Sequence, residues 1–168
     1  RTVQEPLMEH VDVLIASDDA RIGYPATRAN GTPPSNLWLY HVGPQWAKRL
    51  MFTGDCLSGV DAARIGLVCD SVPRAQLDAE VDQLVRRMAL IHSDLLSAHK
   101  RVVNMGMDLA GAGLLQRFPA ETDARLHSAS RAMSQFSDDA SRLGVREAVR
   151  RRDEPFGDGM VKLNARGA

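Results

Sequence analysis

Residues 12–34, DVLIASDDARIGYPATRANGTPP, constrain the fold more than any other stretch of this chain. Residues 11–16 form a short apolar run with β-branched side chains, which suits a buried strand. Ser17, Asp18 and Asp19 break that run with turn chemistry, because short polar side chains bond back to nearby backbone. Arg21 to Gly23 leaves room for a second brief strand, and 25–34 reads as loop. Pro25 and Pro34 remove backbone donors and Gly31 removes a side chain, so a regular element is disfavoured there. Such a loop offers backbone and short side chains to a cleft. The helices after it read as its support.

Those helices show in the spacing of apolar residues. Ser35 is placed to cap a helix over 36–42, with Leu37, Trp38 and Tyr40 on its apolar side and Gly43 as its stop. Pro44 suits the first turn of a second helix carrying Trp46, Leu50 and Met51, which Gly54 closes. Ser58 with Asp61 resembles a capping box for a short helix ending near Gly66, and 67–72 reads as a strand ended by Pro73. Leu77, Val81, Leu84, Val85, Met88 and Ile91 then fall on one helical stripe. Ser93 is expected to cap the next helix, with Leu95, Leu96, Ala98, His99, Val102 and Val103 as its face. Gly106, Gly111 and Gly113 loosen the chain after that face. Pro119 is expected to lead a helix carrying Leu126, Ala129, Met133 and Phe136, which Ser137, Asp138 and Asp139 interrupt. A last helix over 141–151 ends before Pro155, and 157–168 reads as a mobile tail. Pattern alone gives a helix-rich α/β domain whose strands are too few for a sheet of their own.

Composition narrows the partners. A length of 168 residues suits one domain with a real core. The 21 basic and 21 acidic residues balance, so neither nucleic acid nor an acidic membrane surface is an expected partner. Cys56 and Cys69 form no C-x-x-C pair, which argues for a reducing compartment and against a metal centre. No apolar run approaches the roughly 18 residues of a membrane span. The first ten residues, RTVQEPLMEH, lack a signal-peptide pattern. The expectation is a cytoplasmic protein with no membrane partner.

Several segments together resemble the C-terminal portion of the enoyl-CoA hydratase/isomerase (crotonase) superfamily. VDVLIASDDARIG is similar to a strand-and-turn segment of that family, with Val11 where cysteine is usual. GYPATRANGTPP is similar to its loop in which a glutamate follows a proline, with Pro25, Gly31 and Pro34 as landmarks. LMFTGDCLSGVDAARIGLVCDSVP carries the most specific match, because Thr53, Gly54, Asp55, Ala62, Gly66, Leu67, Val68 and Pro73 all fall at the family's spacing. Phe136, Asp139, Gly144, Ala148, Arg151, Arg152, Pro155 and Phe156 echo its ending. The resemblance covers about 11–158. It implies an α/β fold with a crotonase-like (ClpP/crotonase) spiral core, helix-rich with few strands. Residues 11–104 would be a partial core, 105–158 a C-terminal helical trimerisation region and 159–168 a mobile tail. It further implies a homotrimer or hexamer acting on acyl-CoA thioesters in fatty acid metabolism, with no cofactor beyond the thioester itself. The family's N-terminal oxyanion-hole motifs have no counterpart here, so the chain reads as the family's C-terminal portion.

Hydration of an enoyl thioester needs a base for water, an acid for the α-carbon and N–H donors for the thioester oxygen. The resemblance puts one catalytic glutamate after the loop proline, and that position is Ala26. A methyl group transfers no proton, so hydration is expected to be weak or altered. The alternative is a non-catalytic CoA-binding or assembly subunit. The family's second glutamate falls in register on Pro6, flanked by Glu5 and Glu9 out of register. No catalytic residue is therefore assigned. Tyr24, Pro25, Ala26, Gly31 and Pro34 are the expected pocket wall, Tyr24 as a lining aromatic, since a phenol of pKa about 10 is a poor base at neutral pH. Arg28 is expected to be ion-paired, Asn30 and Thr32 to satisfy turn backbone, and Asp55 to serve a turn or cap. His41 is expected to complement a helix end and His99 to be packed. Arg151 and Arg152 match the family's CoA-phosphate contact, an assignment that stands level with a solvated helix end. Ala148 occupies the place of the family's adenine-contacting aromatic, and Lys100 is a lesser basic candidate.

Overall fold

The computed structural model describes residues 2–3, 11–29, 31–33 and 36–163. The acidic turn after the first apolar run folds the chain back between two small sheets. Strand β2 (Ile15–Ser17) runs into the turn, where the Ala20 N–H donates to the Ser17 carbonyl at 2.9 Å, and β3 (Arg21–Gly23) leaves it. β3 lies between β1 (Thr2–Val3), parallel to it, and β4 (Cys56–Ser58), antiparallel to it with Ile22 opposite Leu57. β2 pairs in parallel with β5 (Asp70–Val72), Ala16 opposite Ser71.

Both expected longer strands shorten to their ends. Val11 and Val13 are exposed. The Leu67 N–H, although its side chain is buried, donates to the Ala62 carbonyl at 2.9 Å, closing a turn rather than extending a ladder.

The helical span α1 (Trp38–Thr53) is two helices meeting at Gly43, where the first was expected to stop. Gly43 has φ 73° and ψ 171°, a left-handed break that only glycine adopts cheaply, and Pro44 restarts the helix immediately after it. Ser35, its expected cap, lies outside the described residues. Helix α2 (Gly59–Arg64) is capped as expected: the Ser58 hydroxyl accepts the Asp61 N–H at 3.1 Å. Helices α3 (Leu77–Met88) and α4 (Ser93–Leu109) come next. The cap of α4 is His92, whose Nδ1 accepts from the Asp94 N–H, and Ser93 is already helical.

Helix α5 (Ala112–Ala129) contains Pro119 rather than starting at it. The break falls at Ser130, whose hydroxyl caps α6 (Arg131–Leu143) through the Met133 N–H, so Ser137, Asp138 and Asp139 lie inside α6. Gly144 separates it from α7 (Val145–Asp153).

The core gathers Ala16, Ile22, Trp38, Leu50, Leu57, Ala62, Leu67 and Val68 from both sheets, α1, α2 and the turn after α2. It also takes Val161, which corrects the expected mobile tail from residue 159 onward. The Cys56 N–H donates to the Gly159 carbonyl at 2.7 Å and the Val161 N–H to the Cys56 carbonyl at 2.8 Å. Residues 159–161 thus add a rung to β4, and Leu163 packs against the core. Residues 164–168 lie outside the described residues.

A second correction concerns the apolar stripes. Val81, Val85, Met88, Ile91, Leu95, Val102 and Val103 are exposed on α3, α4 and the segment between them, and His99 is exposed with them rather than packed. No described helix is long and apolar enough to cross a membrane.

Two substitutions test this packing. An ideal Cβ on Gly59 would lie 2.0 Å from the Ser17 carbonyl oxygen, a backbone atom that cannot turn aside. Gly59→Ala is expected to lose at least about 2 kcal/mol in urea unfolding, and unchanged stability would contradict the close approach. Val161→Ala removes two buried methyl-sized groups and should lose about 1.5 kcal/mol. A loose tail would lose nothing.

Candidate functional site

The site loop begins with a turn, not with irregular chain. Pro25–Arg28 form one turn of 3-10 helix, closed by the Thr27 N–H on the Tyr24 carbonyl and the Ala29 N–H on the Ala26 carbonyl, each at 3.1 Å. Proline at its first position fixes φ in the helical range and forfeits only a donor that would have been free.

That turn sits against the end of α1, where the last carbonyls have no partners within the helix. The Thr27 hydroxyl donates to the Met51 carbonyl at 3.0 Å, and Arg28 Nε donates to the Thr53 carbonyl at 2.9 Å. Gly54 ends the helix at φ 66°, its N–H on the Leu50 carbonyl. A Cβ there would lie 3.0 Å from Thr27 Cγ2 and 3.1 Å from Arg28 Nε, so glycine is needed for close approach as well as for conformation.

Arg28 holds this junction. Its side chain is 5% exposed, with Nη2 3.1 Å from Asp55 Oδ1 and Nη1 3.2 Å from Asp153 Oδ1. The guanidinium also lies 4.0 Å over the Phe156 ring. Arg49 Nη1 takes the other Asp55 oxygen at 3.0 Å, so Asp55 serves ion pairing rather than a simple cap. Partial burial pushes the Asp153 carboxyl up, but the hydrogen bonds and charges of Arg152 and Arg28 outweigh it and hold the group below the usual carboxylate range.

Ala26 lies in the same turn, partly buried, and carries only a methyl group. Tyr24 packs against the core cluster at the turn's start. Further along, Gly31 is buried against α5, where a Cβ would lie 1.9 Å from Asp123 Oδ1. The Thr32 hydroxyl donates to the Pro119 carbonyl at 3.3 Å, so it ties the loop to α5 instead of satisfying the turn. Asn30 and Pro34 lie outside the described residues.

Helix α5 also walls a cleft of about 530 Å³, lined by Leu39, Leu114, Leu115 and Phe118, with Tyr40, Arg117 and Glu121 as its polar groups; Tyr24, Pro25, Ala26 and Gly31 do not line it. The Tyr40 hydroxyl donates to the Ala110 carbonyl at 3.2 Å. Sequence reasoning missed the cleft, because its two walls lie about seventy residues apart along the chain. The one available signal was Gly111, whose φ of 95° sets the bend between α4 and α5.

The basic candidates are unequal. Arg152 forks onto Asp153 at 2.8 and 2.9 Å, is 15% exposed and lies 5.8 Å over Phe136, which leaves it little freedom to meet a phosphate. Arg151 is half-exposed, 3.6 Å from Glu147 and 3.9 Å from Asp139. Lys100, on α4, pairs with Asp12 at 2.7 Å. Asp153 joins Arg152 to Arg28, so the basic end of α7 and the turn form one hydrogen-bonded chain. His41 is exposed on α1. Among the described residues no group of three or more His, Cys, Asp and Glu could hold a metal ion.

With this geometry in hand, comparison with known proteins is specific. The family model described as enoyl-CoA hydratase/isomerase matches residues 7–158. The crystal structure of an enoyl-CoA hydratase from Mycobacterium smegmatis is 40% identical at a TM-score of 0.84, covering 89% of this chain and 51% of that one. An enoyl-CoA hydratase/isomerase from Xanthobacter autotrophicus Py2 is 30% identical at 0.80, covering 89% and 56%. The chain spans about half the length of these relatives. The matched region takes in the turn, the cleft and the last helix, and the α/β fold is crotonase-like. This chain belongs to the enoyl-CoA hydratase/isomerase family.

Proposed function

We propose that this protein acts on acyl-CoA thioesters and that its hydration of enoyl thioesters is weak or absent. The observation that carries the reading is Ala26. In hydration, water gives a proton to a base as its oxygen bonds the β-carbon. The displaced electron pair moves to the thioester oxygen, and an acid then protonates the α-carbon. The 24–28 turn offers no carboxylate for either transfer and no good base for water. Thr27 donates its hydroxyl proton to the Met51 carbonyl, Arg28 is a permanent cation, and Tyr24 is a phenol.

Binding has more support than chemistry. The apolar cleft suits an acyl chain, and the half-exposed Arg151 is the better candidate for a CoA phosphate. The same Ala26 favours a second reading, a CoA-ligand-binding or assembly subunit without turnover. A homotrimer or hexamer would cover apolar side chains that this chain leaves exposed outside the cleft, such as Val103, Leu109 and Val145. The free thiols of Cys56 and Cys69 fit a cytoplasmic role in fatty acid metabolism.

Hydration of a short enoyl-CoA, followed spectrophotometrically, tests the reading. The Ala26→Glu variant should exceed the wild-type rate by about 10²-fold or more, the usual worth of one positioned acid or base. Wild-type turnover equal to that of the glutamate variant, both at an ordinary hydratase rate, would contradict it. Saturable binding with no turnover in either protein would select the non-catalytic subunit.

A further inference from the structure

We propose that Arg28 is a positioning residue for the site: it fixes the Pro25–Arg28 turn to residues 153–161, which act as a strap across the loop. The inference rests on reading this turn as the wall of the thioester site, and it assigns the residue and segment that set the wall's position.

The turn has little to hold it by itself. It is a single 3-10 turn with two backbone hydrogen bonds, and no side chain caps its start at Tyr24. Arg28 gives it three fixed directions at once: Nε to the end of α1, Nη2 to Asp55 and Nη1 to Asp153. Only the planar guanidinium fork makes three such bonds while laying a face on Phe156.

Charge neutralisation is not what Arg28 is needed for. Asp55 keeps Arg49, and Asp153 keeps the bidentate Arg152, when the Arg28 side chain is removed. Its loss therefore leaves neither carboxylate without a cation, and the fold should survive. What is lost is direction.

The strap, by contrast, is anchored independently of Arg28. The Gly159 carbonyl and the Val161 N–H both pair with Cys56 on β4, Val161 is in the core, and Arg21 Nη2 donates to the Asp158 carbonyl at 2.8 Å. A Cβ on Gly159 would lie 3.2 Å from Arg28 Nη2, so the strap backbone itself packs on the guanidinium. The turn therefore takes its position from the strap, across 125 residues of sequence.

Amide hydrogen exchange and calorimetric binding of a saturated acyl-CoA, butyryl-CoA, test this on Arg28→Met, Arg28→Lys and Asp153→Asn. In Arg28→Met the Thr27 and Ala29 amides should exchange at least tenfold faster, the Leu67 amide should keep its rate, and butyryl-CoA affinity should fall several-fold. Arg28→Lys should recover part of both effects, since one ammonium cannot follow all three directions. Asp153→Asn, altered only at the strap, should still quicken the two turn amides. Wild-type rates at Thr27 and Ala29 in Arg28→Met overturn the proposal. So does unchanged affinity in a variant whose turn has loosened. If Arg28→Met fails to fold, Asp153→Asn and Phe156→Leu replace it, and unaltered turn amides in both are equally fatal. Loosened turn amides in a protein that binds no butyryl-CoA would keep the strap and remove the thioester reading.

Discussion

A helix that ends inside a protein leaves carbonyls in need of donors, and the end of α1 is where this structure meets that requirement. Gly54 supplies one N–H, the Thr53 hydroxyl returns to the Arg49 carbonyl, and the 25–28 turn supplies two more donors through Thr27 and Arg28. A bond from a charged donor contributes about 1.5–3 kcal/mol, more than most neutral pairs. The arginine also faces the negative end of the helix dipole. One junction therefore fixes three things: the course of the loop, the left-handed glycine after α1, and the placement of Asp55 just beyond it. The C-terminal region joins the same junction through Asp153 and Phe156.

What could be read from sequence was what local chemistry decides. Ser58 and Asp61 cap α2 because both groups lie within one turn, and Gly54 ends α1 because its φ is a property of that residue alone. Arg21–Gly23 forms a strand where the turn residues before it require the chain to reverse. Gly43 breaks α1 as local rule expects, with Pro44 restarting the helix. The failures are long-range. Val161 looked like tail until β4 offered it an edge.

The candidate site divides along the same line. Ala26 could be singled out only through the family resemblance, which matches Pro25 to the proline of the family's loop. The partners of Arg28 were not legible, since they lie 25, 27 and 125 residues away. Nor was the difference between Arg151 and Arg152, adjacent in sequence but one half-exposed at long range from two carboxylates and the other held in a part-buried fork. The resulting picture is a closely held turn without a carboxylate, and an apolar cleft along α5, the helix to which the same loop is tied by Thr32.

The most direct measurement is a residue-resolved map of amide shift changes as butyryl-CoA is titrated into the protein. The account predicts saturable changes at Ala26, Gly31, Tyr40 and Phe118, spanning the turn and the cleft. Changes confined to the exposed face of α3 and α4, or no saturable change at all, would contradict it.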